Sequence, residues 1–270
     1  MYLLVDIGAT NTRLAVSRDE KSIGDPLIIP TNQNFKKAIG ELRDTAKKLT
    51  SRKIKKVVVG APGPFNKEKN KIVGSQNLPH WNGCPLKGAL RRSLRVPVVL
   101  ENDSALVGLG ETVFGAGKGK SIVAYITVST GVGGVKIVNG KINDNAFGFE
   151  PGGQIIDYRH NKTLEDLISG SAIEEKYHKK PYEIKSKKFW KDMAKILAFG
   201  LNNVVVHWSP EIIVIGGSVM KKIPIPDTSR YLKQILSGYG YKHFPLVKKA
   251  KLGNFGGLYG GLALLKNKKI

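Results

Sequence analysis

Two segments of the chain repeat one design, in which an apolar strand enters a short turn of glycine and threonine and a second strand returns from it. The first spans residues 2–16 and turns at residues 8–11, and the second spans residues 122–138 and turns at residues 129–134. This pattern predicts two β-hairpins. Glycine lets a backbone approach a ligand closely, and turn amides with a threonine hydroxyl bind phosphate oxygens. A plain hairpin explains either segment alone, but the repetition favours two phosphate-binding turns.

Another buried strand follows Pro97 and runs into Asp103-Ser104, where a helix is predicted to begin. A carboxylate at such a junction lies at the mouth of a sheet, where α/β folds bind their ligands. Asp103 is therefore a candidate to accept a proton from a substrate hydroxyl, while Asn102 hydrogen-bonds a neighbouring one. The alternative is that Asp103 only caps the following helix.

The remaining elements alternate between strands and helices, which predicts an α/β fold. A helix is expected to begin at Leu164 and to end near Gly170. Further strands are predicted at 57–59 and 211–215, and further helices at 34–49, 104–113, 187–207 and 231–236.

Several loop residues suit ligand binding by type and position. Asp6, at the end of the first strand, could hold magnesium through water, because magnesium keeps most of its hydration shell. Gly216-Gly217 ends a buried strand where a helix N-terminus could meet a nucleotide. Asn77 and Trp81 suit a sugar site, although Trp81 is favoured as an ordinary core aromatic.

Composition limits the classes of function. The chain has 270 residues, 41% of them apolar, which is enough for one large α/β unit or two lobes. A single cysteine, Cys84, excludes an internal disulfide and a multi-cysteine metal cluster. No apolar run is long enough to span a bilayer, so we expect no membrane partner and a cytoplasmic location.

The net charge of +23, from 44 basic and 21 acidic residues, would attract polyanions. The lysines, however, are scattered through helices and turns, and no recognised nucleic-acid motif accompanies them. We therefore expect a solvated lysine-rich surface and no dedicated nucleic-acid partner.

Six short motifs occur in one order along the chain. They are Asp6-Ile7-Gly8-Ala9-Thr10, Gly60-Ala61-Pro62-Gly63-Pro64, Asn77-Leu78-Pro79, Glu101-Asn102-Asp103, Ser129-Thr130-Gly131-Val132-Gly133-Gly134 and Ile213-Val214-Ile215-Gly216-Gly217. Each is weak alone, but the ordered set resembles the ROK family of sugar kinases. That family includes bacterial glucokinases and belongs to the actin/hexokinase/Hsp70 superfamily.

The resemblance implies a fold and a lobe organisation. The fold would be a two-lobed, actin-like ATPase (ribonuclease H-like) α/β architecture, with mixed sheets flanked by helices. The small lobe would comprise residues 1–103 and a C-terminal helix at about 256–270, and the large lobe would comprise residues 104–255. A homodimer is also implied.

The resemblance also implies roles for individual residues. Asp103 would be the general base, and Asp6 would organise Mg²⁺ for ATP. The sugar contacts would be Gly63, Asn77, Asn102, Glu150 and Glu165, and the nucleotide contacts would be Gly8, Thr10, Asn11, Thr130, Gly131, Gly216 and Gly217.

One departure from the family pattern concerns zinc. ROK proteins usually carry Glu-x-Gly-His followed by a cysteine cluster that binds structural zinc together with that histidine. Here Gly153 stands at the histidine position and residues 158–162 replace the cluster. We therefore expect no zinc, and the loss of the histidine removes one implied sugar contact.

The function expected from this resemblance is transfer of the γ-phosphoryl group of Mg-ATP to the 6-hydroxyl of a hexose, with glucose as the first choice. Another hexose or an N-acetylhexosamine is the alternative substrate, and polyphosphate is an alternative donor. A degenerate, sugar-binding kinase ranks next, because Gly153 departs from the pattern. ROK repressors carry an N-terminal DNA-binding domain; this sequence opens on the Asp6 strand, so a sensor ranks last.

Overall fold

A computed structural model describes residues 1–146 and 148–267 of the chain. The strands are β1 (Tyr2–Ile7), β2 (Asn11–Ser17), β3 (Leu27–Pro30), β4 (Lys56–Ala61), β5 (Val98–Asn102), β6 (Ile122–Val128), β7 (Val132–Val138), β8 (Lys141–Ile142), β9 (Ile155–Asp157), β10 (Lys162–Thr163), β11 (Ile212–Gly216) and β12 (Leu246–Lys249). The helices are α1 (Phe35–Leu49), α2 (Leu86–Leu94), α3 (Asp103–Val113), α4 (Leu164–Ile168), α5 (Gly170–Tyr177), α6 (Lys187–Trp208), α7 (Ile225–Ser237) and α8 (Gly256–Asn267).

The described residues divide into two compact units. The first contains residues 1–114, 144–146, 148 and 254–267, and the second contains the rest. Helix α3 belongs to the first unit, and so does α8, which follows the whole second unit along the chain. The C-terminal helix expected at about 256–270 begins at Gly256, while residues 268–270 of that expectation lie outside the described residues.

The sheet of the first unit has the strand order β3-β2-β1-β4-β5. Strands β1, β2 and β3 pair antiparallel, so the predicted first hairpin is confirmed, and β4 and β5 add in parallel to β1. The register aligns Asp6 of β1 with Gly60 of β4, and Gly60 with Glu101 of β5. The ends of three neighbouring strands therefore carry the residues that the sequence singled out.

Side-chain alternation along the strands gives this sheet two covered faces. Leu3 and Val59 pack in a core with residues of α1 and α2. Leu4 and Val58, one residue away in each strand, pack on the other face with α3 and α8. Trp81 is buried in the first of these cores, its indole Nε1 donating to the carbonyl of Gln33 at 3.1 Å, which confirms it as a core aromatic.

The second unit repeats the design with the strand order β12-β11-β6-β7-β8. The predicted second hairpin is confirmed as β6 and β7, and β11 and β12 add in parallel on the other side of β6. Its core packs β6 and β11 against the helices α4 to α7 through residues such as Leu197, Ile213 and Leu232. Both units therefore contain a mixed sheet flanked by helices, the predicted fold class.

Three helices differ from the sequence expectation, and one of them, α2 (Leu86–Leu94), lies in a segment where no helix was predicted. The helix predicted from Leu164 is confirmed as α4, which ends at Ile168, but α5 was not predicted. Helix α5 begins at Gly170, where Ser169 Oγ accepts a hydrogen bond from the Ala172 amide at 3.1 Å. Helix α7 begins at Ile225, ahead of the predicted Tyr231, because the proline at Pro226 falls in its first turn, where its missing N–H costs no helical hydrogen bond.

Helices α3 and α8 approach to backbone contact through glycine. A Cβ on Gly110 of α3 would lie 2.5 Å from the carbonyl oxygen of Gly256, and a Cβ on Gly260 would overlap the carbonyl of Leu106. Only glycine permits this distance, since every other residue carries the Cβ. No helix among the described residues is both long and apolar enough to cross a membrane.

We predict that Gly260→Ala lowers the free energy of unfolding by at least about 3 kcal/mol, because the new methyl group has no space against α3. Gly40→Ala is the matched control: Gly40 is also helical, and nothing lies within 4 Å of a Cβ there. That substitution should stabilise by about 0.5–1 kcal/mol. Urea unfolding measures both, and equal stability of the two variants would contradict the backbone contact.

Candidate active site

The junction of β5 and α3 presents Asp103. The Oδ1 atom of Asn102 accepts a hydrogen bond from the Ala105 amide at 3.1 Å, so Asn102 is the N-cap of α3. Asp103 is the first helical residue, and its Oδ1 accepts from the Ser104 amide at 2.7 Å. The interpretation that Asp103 serves only as the cap is therefore wrong, because Asn102 fills that position.

Asp6 lies next to Asp103 in the first unit. A Cβ built on Gly60, between them in the sheet, would lie 3.5 Å from the Asp103 Cα and 3.7 Å from Asp6 Oδ1. The Asp6 side chain is buried, and Arg13 Nη1 approaches its Oδ2 at 3.8 Å. Gly60 thus lies between the backbone of Asp103 and a carboxylate oxygen of Asp6, and the Asp103 charge is near enough to raise the pKa of Asp6.

Burial changes the protonation of both groups. It raises the pKa of Asp6 from 3.8 to about 7; the nearby Asp103 carboxylate raises it too, while Arg13 lowers it. Burial also raises the pKa of Asp103, and the hydrogen bonds that it accepts from Ser104 oppose this shift. A low-dielectric environment disfavours two neighbouring negative charges, so it favours the protonated form of these carboxyl groups or the binding of a cation.

These oxygen ligands fit magnesium by chemistry. Mg²⁺ prefers carboxylate oxygens and water, and in phosphoryl-transfer sites it is held by one or two carboxylates together with substrate phosphates. Of these two residues, Asp6 lies beside the first glycine turn, residues 8–11, which the sequence predicts to bind phosphate. Within the described residues, no group of three or more His, Cys, Asp or Glu side chains could hold a metal ion by itself.

The first turn is ordered by its neighbours while its tip stays accessible. The Gly8 amide donates to the Asn11 carbonyl at 3.0 Å, which closes the turn, and the Thr31 hydroxyl donates to the Gly8 carbonyl at 2.8 Å. The Thr31 amide donates to the carbonyl of Thr10, whose side chain is exposed. Hydrogen bonds from Thr31 therefore hold the backbone of the turn, while the exposed Thr10 hydroxyl is accessible to a ligand.

Two of the predicted sugar contacts in the first unit lie close together. The Nδ2 atom of Asn102 would be 3.2 Å from a Cβ on Gly63, so the glycine leaves that amide room. Because the helix cap uses Oδ1, the Nδ2 atom remains the part of Asn102 suited to a hydroxyl. Asn77 is exposed in the loop that follows, beside a turn closed by a hydrogen bond from Leu78 N to Ser75 Oγ at 3.2 Å.

The turn of the second unit is built on Glu165. Its Oε2 accepts a hydrogen bond from the Val132 amide at 2.6 Å and would lie 2.6 Å from a Cβ on Gly131. The Thr130 carbonyl accepts from the Ser171 amide at 3.1 Å, and the Thr130 side chain is exposed. The structure thus brings Glu165, predicted as a sugar contact, together with Thr130 and Gly131, predicted as phosphate contacts.

The other predicted residues of the second unit lie at two further positions. Glu150 is exposed directly before the short 3-10 turn Pro151–Gly153, and nothing lies within 4 Å of a Cβ on Gly153. Gly216 and Gly217 end β11. Gly217 has a φ of 101°, and a Cβ there would overlap the carbonyl of Val128, so this strand end requires glycine.

Gly257, in the first turn of α8, is a site residue that sequence reasoning missed. A Cβ there would lie 2.5–2.8 Å from the carboxyl carbon and both oxygens of Asp6. The sequence signal is the Gly256-Gly257 pair at the start of the apolar helix. No local pattern reveals that Gly257 contacts Asp6, because the two residues are far apart in sequence. Helix α8 therefore limits the position of the Asp6 carboxyl group.

Comparison with known proteins gives consistent results. Residues 2–268 match the ROK family. The glucokinase of Halalkalibacterium halodurans is 27% identical, with 99% of this chain and 96% of that protein covered. The crystal structure of a ROK hexokinase from Thermus thermophilus has a TM-score of 0.87 at 24% identity, covering 100% of this chain and 99% of the other. A ROK glucokinase from Streptomyces griseus, in complex with glucose and AMPPNP, has a TM-score of 0.81 at 21% identity, covering 97% and 98%. These similarities confirm the predicted two-lobed, actin-like fold.

The pKa of Asp6 predicts a pH dependence of stability. Folded protein retains a proton on Asp6 that the unfolded chain releases between about pH 4 and pH 7, so the free energy of unfolding falls as pH rises through this window. The loss is up to about 4 kcal/mol. In Asp6→Asn the fall should be smaller, because the neutral amide does not titrate. Urea unfolding at pH 5 and pH 8 without divalent cations measures it.

The exposed Asp44 provides the control for this measurement. Asp44→Asn should keep the pH dependence of the wild type. If Asp6→Asn also kept it, the raised pKa of Asp6 would be wrong.

Proposed function

Because this chain belongs to the ROK family, we propose that it is an ATP-dependent sugar kinase that phosphorylates the 6-hydroxyl of a hexose. The observation that carries the proposal is the carboxyl pair Asp6 and Asp103 on either side of Gly60. Similarity to a glucokinase along nearly the whole chain supports it, as does the relative in complex with glucose and AMPPNP.

In the proposed reaction, the sugar oxygen attacks the γ-phosphorus of ATP, the bond from that phosphorus to the β,γ-bridging oxygen breaks, and ADP leaves. Asp103 accepts the proton of the 6-hydroxyl as the new P–O bond forms. A pKa raised by burial suits this role, because a general base works best when its pKa approaches the working pH. Asn102 supports it by capping α3 and fixing the start of the helix.

We assign Asp6 to Mg²⁺, held through water. The cation, when bound, neutralises charge on the ATP phosphates. The charged form of Asp6 is needed for this contact, and Arg13 at 3.8 Å favours that form. We assign the phosphates to the turns with Gly8, Thr10, Asn11, Thr130 and Gly131, and the adenosine to Gly216 and Gly217.

We assign the sugar to Asn102, Gly63, Asn77, Glu150 and Glu165, with glucose as the first substrate to test. Several amide and carboxylate groups suit this task, because each sugar hydroxyl that is buried without a partner costs about 1–3 kcal/mol. Other hexoses and N-acetylhexosamines remain alternatives, since Gly153 removes a contact that the family pattern implies. Polyphosphate is the alternative donor, for which the net charge of +23 is the supporting observation.

We predict that purified protein releases ADP from Mg-ATP in a sugar-dependent manner, measured with a coupled assay across hexoses and N-acetylhexosamines. Asp103→Asn should lower kcat by at least about 10³-fold, because the amide cannot accept the proton. The asparagine side chain has nearly the same shape as aspartate, and its Oδ1 can still accept a hydrogen bond from the Ser104 amide. Folding and sugar binding should therefore persist.

The exposed Asp44→Asn serves as the control and should keep full turnover. Turnover retained in Asp103→Asn would contradict the role of the base. Sugar binding without turnover in the wild type would instead favour the degenerate kinase that Gly153 suggests.

We further predict that Gly153→His folds normally, because a side chain at this position meets no neighbouring atom within 4 Å of its Cβ. An added imidazole within reach of the sugar would contribute a hydrogen bond and lower KM for the preferred sugar about three- to tenfold. Gly153→Ala is the matched control, since it adds the Cβ without a polar group. Equal KM values for the two variants would show that position 153 does not contact the sugar.

A further inference from the structure

The loop between β4 and β5 carries a lysine in an unusual backbone conformation. It leaves the sheet at Ala61, passes Gly63 and forms a turn in which Phe65 and Ile72 pair as an isolated bridge. Lys69 stands at the tip of this turn with a φ of 47°. A residue other than glycine, asparagine or aspartate is uncommon in this left-handed region.

The turn is held in this shape by Asn66. Its Oδ1 accepts hydrogen bonds from the amides of Asn70 at 3.0 Å and Lys71 at 2.9 Å, while its carbonyl accepts from the Lys69 amide at 2.8 Å. Backbone and side chain of one residue thus fix three successive amides. The direction of Lys69 is therefore set by the turn.

Lys69 reaches across to Glu101 at the end of β5. Its Nζ donates to both carboxylate oxygens of Glu101, at 2.8 and 2.7 Å. The Glu101 side chain is only 13% exposed, against 41% for Lys69. The Oε1 atom of the same carboxylate also accepts a hydrogen bond from the Asn102 amide at 2.9 Å. Glu101 therefore joins the loop to the backbone of the residue that caps α3 and precedes Asp103.

We propose that Lys69 and Glu101 are a positioning pair, which holds the loop of Gly63 against the strand end of Asn102 and Asp103 and so sets the geometry of the sugar site. This inference rests on the proposed kinase function. Neither residue touches the reacting atoms. The pair acts through Gly63 and Asn102, which already approach closely enough that a Cβ on Gly63 would lie 3.2 Å from Asn102 Nδ2.

The pair should affect the sugar and leave the nucleotide unaffected. The first phosphate-type turn is fixed by Thr31, on the opposite side of β1 from β4 and β5. Loss of Lys69 leaves a largely buried Glu101 carboxylate without its cation, two residues from Asp103. Such an unpaired charge is relieved by movement of the strand end, which displaces the sugar-binding groups.

The test is a double-mutant cycle with Lys69→Met, Glu101→Gln and the double variant. Glu101→Gln keeps an oxygen for the Asn102 amide and removes only the charge. Each single variant should raise KM for the sugar about tenfold, since small displacements of positioned groups have effects of this order, while KM for ATP changes less than twofold. The double variant should raise KM no more than Lys69→Met alone, because one interaction is lost in all three variants and the double variant leaves no unpaired carboxylate.

Two further variants keep the test interpretable. Lys69→Arg preserves the cation and should restore a KM for sugar near that of the wild type. Lys67→Met removes an exposed lysine of the same turn and should leave all kinetic constants unchanged. Equal effects of Lys67→Met and Lys69→Met, additive effects of the two single variants, or a parallel rise of KM for ATP would overturn the proposal.

Amide hydrogen exchange separates this inference from the proposed function. Residues 64–73 and the amides of Asn102 and Ala105 should exchange faster in Lys69→Met than in Lys67→Met. Unchanged exchange would overturn the positioning pair even in an active enzyme. If the wild type neither binds nor phosphorylates any sugar, the proposed kinase function fails. Faster exchange in Lys69→Met would in that case show only that the pair orders the loop. The role of the pair in positioning the sugar site would then be overturned together with the kinase function.

Discussion

The backbone contact between α3 and α8 is the constraint on which the candidate site depends. Helix α3 begins with Asp103, and the first turn of α8 brings Gly257 against the carboxyl group of Asp6. Because Gly260 meets the carbonyl of Leu106 without an intervening side chain, the two helices cannot separate or slide without losing packing. The close helix contact thus fixes the start of α3, where Asp103 lies, and the first turn of α8, which limits the position of Asp6. Burial is the main cause of the raised pKa of both carboxyl groups.

The sheets of the two units share one design. In both, a hairpin with a glycine turn is extended on one side by two parallel strands, β4 and β5 in the first unit and β11 and β12 in the second. In the first unit the ends of the parallel strands bring Gly60 and Asp103 to the turn that follows Asp6. In the second unit the hairpin turn is held by Glu165 from behind. The same design thus places Asp6 and Asp103 at strand ends in the first unit and a glycine turn bonded to Glu165 in the second.

Local patterns predicted most elements and the position of Asp103, since apolar runs, glycine turns and the strand-to-helix junction are encoded by neighbouring residues. They did not predict α5, because the cap that restarts the helix at Ser169 resembles a helix end. They named Asp103 as the alternative cap and missed Asn102, because both residue types cap helices. The contacts of Gly257 with Asp6 and of Lys69 with Glu101 join residues far apart in sequence, so no local pattern contains them. The roles assigned to the sugar and nucleotide residues stay predictions.

The position of α8 in the first unit has a consequence for biosynthesis. Helix α8 packs Leu258, Leu262 and Leu265 against Leu4 and Val58 on one face of the first sheet. These leucines are nevertheless synthesised after every residue of the second unit. The second unit, residues 115–143 and 149–253, is complete before α8 is synthesised. Until then only α3, through Leu106, packs on this face of the first sheet, so part of its apolar surface stays exposed while more than half of the chain is translated, and exposed apolar surface of this kind favours aggregation.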